Sequence, residues 1–68
     1  MQVHVNTYPQ LRRLCWNRAN DAVVDGIEAL GLYENNWRMV APEKLDGQEQ
    51  KLVDLLIARY GNGVFMPT

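Results

Sequence analysis

The stretch LRRLCWNR, Leu11 to Arg18, gathers the chain's only cysteine, one of its two tryptophans and three of its seven basic residues. A cysteine nucleophile needs a base and a lowered pKa, supplied by a histidine, a positive charge or a helix N-terminus. The single histidine is His4, in the N-terminal segment, while Arg12 and Arg18 are sequence neighbours of Cys15. On a helix, however, Cys15 falls inside the apolar arc, where a thiol behaves as a small hydrophobe. We expect a core cysteine rather than a catalytic or redox one. One Cys and one His also cannot complete a structural zinc site, which takes four ligands.

The arginines pose a second question. Arg12, Arg13 and Arg18 give the first twenty residues three basic side chains and no acidic one, whereas the remainder carries four basic against eight acidic. Such asymmetry can mark a nucleic-acid arm, but on a helical wheel the three point in three directions, and phosphate tracking needs aligned cations. A formal charge of -1 adds no general attraction to polyanions. Their expected use is to meet acidic groups elsewhere in the domain, or in a second subunit. There are no paired carboxylates, no phosphate-cradling glycine loop and no Ser/His/Asp set with supporting context. No enzyme activity, cofactor, metal or small-molecule ligand is therefore expected.

Trp16 and Trp37 default to core packing, with an interface as the alternative, because tryptophan and tyrosine bury much area and keep a polar handle. Leu32 and Met39 lie on the side of their helix opposite its main apolar face, and a secondary apolar patch on so small a domain points to a partner. Trp16, Leu32, Trp37 and Met39 thus form the candidate contact set. The expected partner is a second copy, as in a homodimer, or another protein.

Three helices must position these residues, each opened by the pattern of a capping box, a short oxygen-bearing side chain followed three residues later by Glu or Gln. The boxes are Thr7–Gln10, Asp25–Glu28 and Asp46–Glu49. The first helix should run over about 8–19, with Tyr8, Leu11, Leu14, Cys15 and Ala19 in one arc and Trp16 on its flank. The second should cover about 26–40, with Ile27, Leu30, Tyr33, Trp37 and Val40 on one face and a Glu34–Arg38 pair on the surface. Gly31 marks either a close crossing or a break in it. The third, about 47–60, is the most apolar: Leu52, Val53, Leu55, Leu56, Ile57 and Tyr60 cover over half the wheel, so it should lie between the other two or against a second subunit. Gly61 fits a left-handed residue just past its end. Residues 2–5 and 63–66 read as short strands that pair and tie the termini together. The chain is expected to be a single, mainly α, three-helix domain spanning 1–68.

The segment IEALGLYENNWRMV, residues 27–40, resembles a helix-turn-helix, with Ile27, Leu30, Gly31, Leu32, Trp37 and Val40 in acceptable places. That resemblance implies a DNA-binding regulator in which Asn35 and Asn36 read adenine edges. Ile27 departs from the alanine typical there, and YENNWR offers DNA only one base beside one acid. The DG-x-E repeat at Asp25 and Asp46 matches helix capping; the alternating oxygen ligands of a calcium loop are missing.

Sixty-eight residues lie near the lower limit for a self-sufficient core, so self-association that buries more apolar surface is expected. A lone cysteine forms no internal disulfide, the apolar runs are too short for a bilayer, and MQVHVNTYPQ lacks the pattern of a signal peptide. The expected protein is a complete, cytoplasmic, self-associating interaction module, with DNA regulation through 27–40 as the alternative.

Overall fold

The computed structural model describes residues 1–19 and 21–67, and it begins with a strand, β1 (Gln2–His4), whose alternation buries Val3 and leaves Gln2 and His4 outside. Its partner is β2 (Val23–Asp25), antiparallel, in a register that sets the two buried valines, Val3 and Val24, opposite each other. The expected pairing of 2–5 with 63–66 is not formed: residues 63–66 adopt no strand. Residues 23–25 supply the strand instead, because the β-branched Val23–Val24 pair can put one valine on the helices. Val5 N–H, donating to the Ala22 carbonyl at 3.1 Å, extends the pairing by one bond.

Between the strands lies α1 (Pro9–Leu14), only six residues long. The apolar arc predicted a helix to residue 19, but the backbone leaves helical geometry at Cys15 (φ -103°, ψ 36°) and turns back toward β2. A six-residue helix cannot sustain itself, since nucleation outweighs so few bonds. Thr7 does not cap it. It belongs to a 3-10 turn over Val5–Thr7, and Tyr8 occupies the N-cap position without a side-chain bond.

Strand β2 runs directly into α2 (Gly26–Asn35). Asp25 caps that helix, accepting the Gly26 N–H on Oδ1 at 2.8 Å, and its carboxylate lies 3.6 Å from the N-terminal ammonium. The helix passes through Gly31 unbroken and stops at Asn36, whose Nδ2 donates to the Leu32 carbonyl. Residues 37–39 then form a separate 3-10 turn rather than the expected helix to 40. Arg38 is consequently off the helix, so the predicted i, i+4 geometry with Glu34 is lost. Ile27, assigned to the apolar face by spacing, is 62% exposed, and Ala29 takes its place beside Leu30 and Tyr33. Gly31 does no conformational work here, because a methyl group at its Cβ would meet nothing within 4 Å. Gly31→Ala should therefore stabilise the fold by about 0.5–1 kcal/mol and raise the melting temperature by several degrees. Calorimetry showing a lower melting temperature would mean that α2 is not a continuous helix there.

Helix α3 (Gly47–Tyr60) has the bounds its sequence predicts. Asp46 caps it, Oδ1 accepting the Glu49 N–H at 2.7 Å. It packs along α2, and Leu52, Val53 and Leu56 are buried while Leu55 faces outward. Past its end the left-handed residues are Asn62 (φ 54°) and Gly63 (φ 79°), not Gly61 (φ -101°). Gly61 is required for another reason: a Cβ there would sit 2.6 Å from the Val64 carbonyl oxygen. Among the described residues the architecture is thus three α-helices with a two-stranded antiparallel ribbon, a small mainly α domain. Its core joins Val3, Val5 and Val24 of the ribbon side to Leu11, Leu30, Tyr33 and Leu56 of the helices.

Candidate functional surface and the buried carboxylate

Cys15 closes α1 on its inner side and is 1% exposed, with burial pushing its thiol pKa up. Arg18 and Arg12 pull in the opposite direction and do not overcome that desolvation. Such a thiol is a poor nucleophile on both counts. Folded protein should react with a thiol-directed disulfide reagent orders of magnitude more slowly than urea-unfolded protein. Comparable rates would place Cys15 outside the core. Arg18 pairs with Glu28 of α2, so one member of the basic N-terminal set meets an acidic side chain within the same chain.

A polar cluster that sequence reasoning did not identify lies at the opposite end of α1. Glu49, in the first turn of α3, is 1% exposed. Its Oε1 accepts the Gln10 N–H at 3.0 Å, and its Oε2 accepts the Leu11 N–H at 3.0 Å and the Tyr33 hydroxyl at 2.7 Å. These bonds complete the accounts of the α1 N-terminus. Pro9 has no N–H, the Arg12 N–H reaches the Tyr8 carbonyl, and Glu49 takes the two remaining orphan donors. A carboxylate from α3 therefore does for α1 what the N-cap side chain of Tyr8 cannot. It also places negative charge where the helix dipole favours it. The capping box at Asp46–Glu49 is only half made: Asp46 caps as expected, while the Glu49 side chain turns to another helix. A signal for its burial was present, since Glu49 stands at the head of the spacing 49, 52, 53, 56 that forms the inner stripe of α3. The Tyr33 hydroxyl, buried and donating to this carboxylate, has its pKa raised far above the ordinary tyrosine value, first by burial and then by that bond.

The four candidate contact residues fall in different settings. Trp16 is 80% exposed in the turn after α1. Met39 is 62% exposed at the end of the 3-10 turn beyond α2. Trp37 is half-buried, its ring edge-on to Phe65 at 4.8 Å and to Tyr33 at 6.5 Å between centroids. Leu32 is partly buried against the core. Because the start of α1 meets Ala41 through Gln10, and its end meets the first turn of α2 through Arg18, α1 runs opposite to α2. Trp16 and Met39 consequently lie toward opposite ends of that pair, and Trp37 is grouped with Phe65, a residue expected from the sequence in a strand.

A cleft of about 350 Å³ opens between the Val5–Thr7 turn and the approach to β2, lined by His4, Asn6, Thr7, Asp21 and Ala22. Its four polar side chains are exposed, and among the described residues no cluster of three His, Cys, Asp or Glu side chains suited to a metal occurs there or elsewhere. No described helix is long and apolar enough to cross a membrane. No protein-family model, no curated protein and no solved structure matches this chain.

Proposed function

We propose that this chain is a non-catalytic protein–protein contact module that associates with itself, using Trp16, Leu32, Trp37 and Met39. The observation that carries this reading is Trp16, an indole left 80% exposed on a 68-residue domain. Tryptophan is rarely so solvated and is enriched at binding hot spots. Met39 and Ile27, each 62% exposed, add apolar surface on a domain too small to hold a large core. Regulation through DNA by residues 27–40 draws less support, because a helix-turn-helix must bend near Gly31 and α2 is continuous there.

Sedimentation equilibrium between about 10 and 500 μM should show a concentration-dependent dimer. Trp16→Lys and Met39→Lys should each weaken it by at least tenfold, the size expected when an anchor residue worth more than about 1.4 kcal/mol is lost. A strict monomer across that range would remove the reading. Retention on DNA at low salt would favour the alternative in its place.

A further inference from the structure

The chain beyond α3 is folded back on α2, and what it touches is informative. After the left-handed Asn62–Gly63 turn, itself anchored by Gly63 N–H to the Ile57 carbonyl, the chain extends without regular structure. Phe65 then sets its ring edge-on against Trp37, which in turn stands edge-on to Tyr33, and Met66 N–H donates to Glu34 Oε2 at 3.0 Å. Val64 and Met66 meanwhile direct exposed side chains outward. A ring edge-on to an aromatic side chain and a backbone N–H on a carboxylate are contacts that any extended segment carrying an aromatic residue can make. Here a segment of the same chain makes them.

The geometry points to a peptide-docking shelf on the C-terminal half of α2 and the following turn, formed by Trp37 and Glu34, with residues 64–66 as its self-docked strap. Its occupant in trans is an extended protein segment with an aromatic side chain, whose chemistry is read from the strap that fills the shelf. Trp37 belongs to the contact set proposed above, so the inference rests on that reading and names the partner class for one part of it. The strap also sets a threshold. A tail joined by a few residues competes at a millimolar effective concentration, so a partner must outbid it and the shelf is closed by default.

The test uses the full chain in a Trp16→Phe background, so that emission reports Trp37 alone, with the acetylated peptide GVFMPT as probe. Phe65→Ala lifts the ring from the shelf, and Met66→Pro removes the N–H donated to Glu34 without touching the ring; far-UV circular dichroism confirms helix content in both. The peptide should bind the Phe65→Ala chain at least tenfold more tightly than the chain with Phe65 intact, with Met66→Pro between them, while GVAMPT should not bind. Equal affinity for all chains, or no binding to either variant at millimolar peptide, overturns the shelf. Sedimentation of the corresponding chains with Trp16 retained separates the two ideas. Self-association with no peptide binding overturns the shelf alone, and peptide binding by a strict monomer overturns self-association alone. A dimer that dissociates on Phe65→Ala makes a second copy's tail the occupant and overturns the strap.

Discussion

Glu49→Ala should leave the protein largely unfolded at room temperature. The substitution strips the Gln10 and Leu11 N–H groups and the Tyr33 hydroxyl of their acceptor at once, in a place water does not reach. Each buried donor left without an acceptor costs about 1–3 kcal/mol, so the three together cost about 3 kcal/mol or more. A single core in a domain of 68 residues rarely supplies more than about 3–5 kcal/mol in total. Glu49→Gln should cost less, about 2–3 kcal/mol, since one oxygen still accepts while the amide NH2 faces a donor. Gln50→Ala, on the exposed side of the same turn, serves as the control and should stay within about 0.5 kcal/mol of wild type. Urea titrations followed by circular dichroism would decide. A Glu49→Ala midpoint near that of Gln50→Ala would mean that α1 does not depend on the cap from α3.

Tyr33→Phe isolates one bond of the same network. The ring stays and keeps its place beside Trp37, but Glu49 Oε2 loses its shortest donor. A hydrogen bond to a charged group contributes about 1.5–3 kcal/mol, and the loss should fall in that range. The bond also makes stability depend on alkaline pH, with a definite sign. In the folded protein the Tyr33 pKa is raised, by burial first and the Glu49 bond second. In the unfolded chain it returns to about 10. Below about pH 10 both states keep the proton and the stabilisation is complete. Above it only the unfolded state releases the proton, so stability should fall by up to about 1.4 kcal/mol per pH unit. Tyr33→Phe removes that slope, and the gap between variant and wild type should narrow from pH 9 to pH 11. Parallel curves over that interval would show that Tyr33 is not shielded from solvent.

The elements differ in how far local chemistry settled them. The bounds of helix α3 were legible: Asp46 caps it and an apolar stripe carries it, whereas Gly61, read as left-handed, instead admits the close return of the chain at Val64. Each of these acts within a few residues of the place it determines. The start of α2 was equally legible in Asp25, but not its end, because Asn36 bonding back to Leu32 and the seating of Trp37 on Phe65 depend on how the tail returns. The buried position of Cys15 followed from its arc, although the helix that carries the arc is shorter than the arc itself.

What composition and spacing determined by themselves, then, is a small helical domain with a buried thiol, a capped third helix and more apolar surface than it can hide. The tertiary structure decided three things that no window of the sequence contains. It chose Val23–Asp25 over residues 63–66 as the partner of β1, because the register must bring Val24 opposite Val3 above the helices. It cut α1 to six residues and gave it a cap from a residue 38 positions away. And it left Trp16 in solvent while drawing Trp37 under Phe65. The physical reason is common to all three. Capping and periodicity are local energies of about 1 kcal/mol or less per residue, whereas burial of an apolar side chain or a hydrogen bond to a buried carboxylate contributes about 1.5–3 kcal/mol each. Where the two disagree, the long-range term prevails.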